Sequence, residues 1–165
     1  MPVRISLGSV ETGWGPMLLA ASPAGMLEVA RGTDAAALVA RLLLRLPDAA
    51  VVDDEPAHGG WLVGWVAGRE RGLAPVDLRG LPAFDADVYR AVRDIGWGER
   101  ATYGDVAVAI GRPGAARAVG GAMGRCPLFP AVPCHRVVRA ADGWSGWGSG
   151  GDEVKRRLLL RERPR

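Results

Sequence analysis

Near its C-terminal end the chain reads Ala131-Val132-Pro133-Cys134-His135-Arg136-Val137-Val138, an apolar stretch interrupted by a thiol, an imidazole and a guanidinium in succession. Pro133 cannot donate a ladder hydrogen bond, so a strand through this stretch must be an edge or must stop there. That places Cys134 where a buried strand breaks, beside two groups that favour thiolate, the nucleophilic form of cysteine. A base next to a thiol, oriented by a third group, is how protein nucleophiles are activated. The plain alternative is an inert core cysteine, and a Cys-His dipeptide alone does not displace it. The other thiol is Cys126, and the histidines are His58 and His135. Two thiols make no disulfide framework. Cys126, Cys134 and His135 lack the finger-like spacing of a zinc site, so no metal is expected.

The elements that must position Cys134 fall into two lobes. In the first, Val3–Leu7, Met17–Ala21 and Met26–Ala30 are apolar runs separated by Gly- and Pro-containing turns, which predicts a three-stranded antiparallel meander. Thr33 is the expected N-cap of a helix that carries Leu38, Leu42 and Leu46 on one face and stops at Pro47. A strand at Ala49–Val52, a helix over Gly60–Arg69 and a strand at Pro75–Leu78 complete an α/β lobe, and Gly80-Leu81-Pro82 reads as the linker out of it.

In the second lobe Phe84, Val88, Val92 and Ile95 recur at helical spacing, so Phe84–Ile95 is an amphipathic helix ended by Gly96. Thr102-Tyr103-Gly104-Asp105 fits a capping-box helix start. Gly111-Arg112-Pro113-Gly114 is a turn, and Ala115–Gly124 is a second helix made almost wholly of small residues, with Arg117 standing among them. Helix, tight turn and helix is the helix-turn-helix arrangement. The small residues also suit a helix packed tightly on a neighbour.

The charge distribution suits either a phosphate backbone along the second lobe or an ordinary charged, soluble surface of an arginine-favouring chain. Net charge is +3 overall, but residues 1–84 carry −2 and residues 85–165 carry +5. Lys155 is the only lysine, and guanidinium forks suit phosphate oxygens. The opening Met-Pro-Val-Arg-Ile-Ser has no apolar segment behind it, and no uncharged apolar run approaches the ~20 residues of a membrane helix. A cytoplasmic protein with no membrane partner is the expectation.

Pro133-Cys134-His135-Arg136-Val137-Val138 resembles the active-site signature of the O6-alkylguanine-DNA alkyltransferases, the methylated-DNA–protein-cysteine methyltransferases. Thr102-Tyr103-Gly104, Ala115-Ala116-Arg117-Ala118-Val119-Gly120, Gly150-Gly151 and Lys155 follow the family's order, and a weaker likeness runs through the first lobe. The resemblance implies an α/β two-lobe fold. Residues 1–79 would be a ribonuclease-H-like lobe. Residues 80–165 would be a helical DNA-binding and alkyl-acceptor domain with a winged-helix-like helix-turn-helix.

It implies direct-reversal repair of double-stranded DNA containing O6-alkylguanine, bound through the minor groove by a monomer. Ala118 and Gly120 would allow close approach, and Arg117 would fill the gap left by the extruded base. Tyr103 would aid extrusion and give a proton to the guanine ring. His135, through a water and Glu162, would draw the proton from Cys134, which takes the alkyl group once, irreversibly and without a cofactor. Arg136, Trp147, Ser149 and Cys126 complete the implied substrate- and DNA-facing set.

Two departures qualify the resemblance. The family has an Asn where this chain has Cys126, before Pro127, and a thiol cannot brace a turn as an amide with two donors and an acceptor does. Slower transfer is expected, and a Cys126–Cys134 disulfide under oxidation would require their Cα atoms to lie within about 7 Å. The family's Gly-Tyr-x-Gly-Gly loop is here Gly146-Trp147-Gly148-Ser149-Gly150-Gly151, one residue longer. Trp144 and Trp147 would line a base pocket or anchor the loop, and Ser149 could meet the guanine O6. The rival functions are a damage-recognition protein of the same fold with impaired transfer, a Cys134–His135 thiol hydrolase and a helix-turn-helix regulator.

Overall fold

The structure, a computed structural model, describes residues 1–141, 143 and 152–164. The expected loop residues Trp144, Trp147 and Ser149 lie outside the described residues. The chain forms two compact units. Met1–Leu81 and Pro127–Ala131 make the first, and Pro82–Cys126 and Val132–Arg165 make the second.

The first unit is built on strands β1 (Arg4–Thr12), β2 (Gly15–Ser22) and β3 (Gly25–Ala30), the antiparallel meander expected from the sequence. β4 (Ala50–Asp53) joins in parallel beside β1, giving the order β3-β2-β1-β4. Helix α1 (Ala35–Arg45) supplies the crossover, and its apolar face seats Leu38 and Leu42 on Ile5, Leu7, Ala20 and Leu27. Asp34, not Thr33, is its N-cap: the carboxylate takes the Ala37 N–H at 2.7 Å.

Helix α2 (Gly59–Val66) is shorter than the expected Gly60–Arg69. Gly68 turns left-handed at φ +76° and the Arg69 N–H reaches back to the Gly64 carbonyl at 2.8 Å, the closure that ends many helices at a glycine. The strand expected at Pro75–Leu78 shrinks to a single bridge between Met26 and Val76. Pro75 has no N–H to extend it, and the Asp77 side chain is drawn instead to Ser22 and Arg79. Pro127–Ala131 belongs to this unit because the Val29 N–H bonds the Pro127 carbonyl at 2.8 Å and Phe129 stacks on Trp14 and meets Trp65 edge-on.

The second unit holds α3 (Ala83–Arg93), β5 (Ala101–Thr102), α4 (Tyr103–Ala109), α5 (Ala116–Arg125), β6 (Val137–Val138) and α6 (Asp152–Arg161). α3 buries Val88, Tyr89 and Val92, and the Tyr89 hydroxyl donates to the Ala122 carbonyl of α5 at 2.8 Å. β5 and β6 pair in parallel, Ala101 with Val137 and Thr102 with Val138. Thr102 is also the N-cap of α4 in a complete capping box with Asp105. One residue thus belongs to a strand and caps a helix, and Tyr103 is the first helical residue after it. The strand expected through Ala131–Val138 is mostly absent: Cys134–Arg136 is a single 3₁₀ turn, and only Val137 and Val138 are extended. Among the described residues no helix is long and apolar enough to cross a membrane.

Thr102→Ala should lower the unfolding free energy by about 1 kcal/mol, the usual cost of losing an N-cap. Urea unfolding of the two chains measures it, and equal midpoints would show that the capping box does not hold this junction.

Candidate functional site

Pro133 introduces the 3₁₀ turn with φ −78° and ψ 65°, and the turn closes through Arg136 N–H to Pro133 carbonyl at 3.0 Å. Three residues per turn send consecutive side chains in three directions, whereas a strand would alternate them between two faces. Cys134 is 4% exposed, His135 0%, Arg136 1% and Glu162 3%.

His135 and Arg136 both turn to Glu162, which extends from the end of α6. His135 Nε2 lies 2.7 Å from Glu162 Oε1. Arg136 forks onto the same carboxylate, Nε to Oε2 and Nη2 to Oε1, both at 2.9 Å, while Nη1 donates to the Ile95 carbonyl at 2.6 Å. The Gly98 N–H adds a long contact to Oε2 at 3.5 Å. Gly98 sits at φ +80°, and a Cβ there would stand 2.9 Å from the Glu162 carbonyl oxygen, so glycine is what permits this approach. The Arg136 guanidinium also lies over the Trp97 ring, 5.8 Å from its centroid.

Burial pushes the Glu162 carboxyl up, but the hydrogen bonds from His135 and Arg136 outweigh it and hold the group at about 2. For His135 burial prevails: it lowers the imidazole below its ordinary 6.5 despite the carboxylate beside it. A carboxylate only accepts, so Nε2 carries the ring proton and the basic lone pair is on Nδ1.

The thiol departs from the expectation that its sequence neighbours favour thiolate. The Cys126 side chain, as hydrogen-bond partner, and then burial raise Cys134 well above an ordinary thiol, against opposition from the backbone and from Lys155. Burial disfavours the charged form of His135, and the Arg136 guanidinium is engaged by Glu162. Arg136, expected to meet substrate or DNA, instead lies beneath the surface as the clamp on Glu162. Lys155 was not foreseen as part of the site. It is fully buried, and its ammonium donates to the Val137 carbonyl at 2.7 Å, just past the reactive turn. Its sequence signals are its place in the family's motif order and its being the single lysine of an arginine-rich chain.

The remaining candidates lie on α4 and α5. Tyr103 is half-buried, and its ring covers α5 at Gly120, where a Cβ would come 3.9 Å from the ring carbons. Arg117 and Ala118 are exposed, in line with Gly121, Gly124 and Arg125, while Val119 and Ala122 face inward. Cys126 ends α5 half-buried.

The family model for the DNA-binding domain of 6-O-methylguanine DNA methyltransferase matches residues 83–164. A methylated-DNA–protein-cysteine methyltransferase of Methanosarcina acetivorans is 34% identical over 157 residues, covering 92% of this chain and 94% of that protein. The chain belongs to the methylated-DNA–protein-cysteine methyltransferase family. The same-named protein of Mycolicibacterium paratuberculosis is 49% identical over 88 residues, 53% of each chain. That match, like those to several other curated relatives, spans about half the relative's length. The Mycobacterium tuberculosis OGT crystallised in complex with DNA superposes with a TM-score of 0.74 at 32% identity, covering 98% of this chain and 93% of that one. Tyr103, Arg117, Cys126, Cys134, His135, Arg136 and Glu162 all fall within the segment matched by the family model.

The buried cluster gives this family member an acid profile with two steps. The fold keeps His135 neutral, so the unfolded chain takes up that proton first and stability declines as pH falls below about 6.5. Glu162 stabilises the fold above its ordinary 4.5, and its contribution is lost as pH falls from there towards about 2. Glu162→Gln should shrink the lower step in urea unfolding across the acid range, leaving the part that Asp77, also held at about 2, contributes. It should also cost about 3–5 kcal/mol near neutrality, because Arg136 is left as a buried charge without its anion. A neutral-pH cost within error of zero would mean that the clamp is not what orders this site.

Proposed function

We propose that the chain is a direct-reversal DNA-repair enzyme that moves an alkyl group from O6-alkylguanine in DNA to Cys134, one group per protein molecule. The observation that carries this is the buried Cys134 at the head of a 3₁₀ turn whose next two residues lock onto Glu162, inside the segment that the methyltransferase family model matches.

In this reading the resting thiol is protonated, so attack begins with loss of its proton. His135, through a water, would take that proton on Nδ1, and Glu162 stabilises the imidazolium as it forms. The Cys134 sulfur then displaces guanine from the alkyl carbon: a carbon–sulfur bond forms, the carbon–O6 bond breaks, and the electron pair returns to the base. Tyr103 would give the guanine ring its proton. The thioether is not reversed by any base in the site, so turnover stops at one and no cofactor is required.

The reading extends to the partner. Residues 1–79 are taken as a ribonuclease-H-like lobe and residues 80–165 as the DNA-binding and alkyl-acceptor domain, with α4 and α5 as a helix-turn-helix in a winged-helix-like setting. The exposed small residues of α5, Ala118 among them, support a close approach to the minor groove of double-stranded DNA, with Gly120 keeping the helix thin beneath Tyr103. Arg117 is the one long side chain near the helix start and would occupy the place of the extruded base. The protein would act as a cytoplasmic monomer. Trp147 and Ser149 are proposed to face the base, and Cys126 to border it.

One observation favours a second reading, a damage-recognition protein with impaired transfer: the thiol of Cys134 is held high by Cys126. Intact mass after mixing the protein with duplex DNA containing O6-methylguanine separates the two. The expected outcome is a gain of one methyl group, mapped to Cys134, saturating at one per chain and absent in Cys134→Ala. Lesion binding without mass gain would favour the recognition protein. Arg117→Ala should slow transfer from duplex by about tenfold or more while leaving transfer from the free base nearly unchanged, since extrusion costs a few kcal/mol only in duplex. Equal slowing on both substrates would remove Arg117 from the extrusion step.

A further inference from the structure

The proposed function gives Arg117 a task on α5 and leaves that helix's other charge unused. Arg117 and Arg125 are the only charged residues of Ala116–Arg125. Arg125 belongs to the exposed stripe that also holds Arg117, Ala118, Gly121 and Gly124, residues spaced to share one helix face. Its side chain is 60% exposed, whereas that of its partner Asp85, in the first turn of α3, is 6% exposed. Arg125 Nε and Nη2 bond the two Asp85 carboxylate oxygens at 3.2 and 2.8 Å. One turn further along α3, Tyr89 holds α5 a second time through the Ala122 carbonyl. Gly121 decides where the guanidinium lies. A Cβ at 121 would stand 3.1 Å from Arg125 Nη1, so the glycine lets the side chain fold back along the exposed face. A guanidinium carries five N–H donors in one plane, and Asp85 takes two of them. Among the described residues Nη1 has no hydrogen-bond partner, and its two N–H groups remain available beside Gly121.

We propose that Arg125 is a phosphate contact for bound duplex DNA, with Asp85 holding its guanidinium ready on the α5 face. The buried carboxylate fixes the side chain before DNA arrives, so less rotamer freedom is lost when a phosphate oxygen accepts from Nη1. The pair presents its positive end outward, because the anion is buried and the cation is not. A phosphate contact fixes where a helix sits on the duplex without reading sequence. Arg125 thereby sets the seat of α5 on the backbone, while Arg117 acts at the damaged base.

The inference rests on the reading that the exposed face of α5 meets DNA, and the test separates the two. Binding of the full chain to an unmodified fluorescent duplex is measured from about 50 to 200 mM salt. Replacing Arg125 alone by a neutral residue would leave the buried Asp85 carboxylate without its partner. The double variant Asp85→Asn/Arg125→Gln instead keeps a pair that can hydrogen-bond and leaves the net charge unchanged. We expect its slope of log affinity against log salt to flatten by about 0.5–0.9, one phosphate contact being worth ~0.9. By that slope its affinity at about 0.1 M salt falls about three- to eightfold. Arg125→Lys keeps the charge and should retain the steeper slope. A double-variant line parallel to that of the unsubstituted chain would show that the pair only braces α5 on α3, and would overturn the proposal. Equal flattening in Arg125→Lys and the double variant would overturn it too. Ala118→Glu puts an anion on the same face and should weaken binding more than either. Unchanged binding by Ala118→Glu would remove the α5 face from the DNA surface, and the reading would fall together with the proposal. Weak binding by Ala118→Glu beside an unchanged slope in the double variant would defeat the proposal alone.

Discussion

The buried carboxylate of Glu162 organises the second unit. An uncompensated charge at that depth would cost several kcal/mol, so its partners are obligatory. Arg136 provides a two-point fork and His135 a third contact. Because His135 and Arg136 are adjacent in sequence, satisfying one carboxylate fixes two consecutive side chains and with them the pitch of the backbone turn. Cys134 is the residue left to point elsewhere. The Cys134 sulfur is therefore positioned by an ion cluster built on its two sequence neighbours.

This arrangement separates holding a nucleophile from activating it. The guanidinium that sequence proximity puts beside Cys134 is engaged by Glu162, while Cys126 and burial raise the thiol against its backbone hydrogen bond and the charge of Lys155. A thiol kept protonated resists casual electrophiles, which would suit the single-use acceptor proposed above. In the proposed reaction, release of the proton would depend on the imidazole of His135, whose tautomer is set by the same carboxylate.

Much of this was legible in the sequence where signals are local. The meander follows from alternating apolar runs and Gly-containing turns, and the start of α4 from Thr102 and Asp105 three residues apart. Thr33 and Asp34 are both good caps, and only the backbone shows that Asp34 takes the role. The Pro-Cys-His-Arg stretch looks like an interrupted strand because an apolar run without a period does not distinguish a strand from a turn; the 3₁₀ geometry comes from Glu162, 26 residues beyond Arg136. Lys155 stands out in the sequence as a family mark, but its burial does not, because a charged residue in an arginine-rich helix reads as surface. Its burial follows from the carbonyl it meets on β6.

The path of the chain between the two thiols has a consequence for how the protein can be divided. Pro127–Ala131 leaves the second unit after Cys126, packs Phe129 among the tryptophans of the first, and returns at Val132. The two units are therefore not successive beads, and no single cut separates them. A fragment beginning at Pro82 would carry those five residues stripped of their aromatic seat, and one ending at Leu81 would leave that seat empty. The stretch that frames Cys134 is thus also a structural donation to the other unit. Any excision, permutation or fusion of this protein must keep both halves of the exchange in one chain.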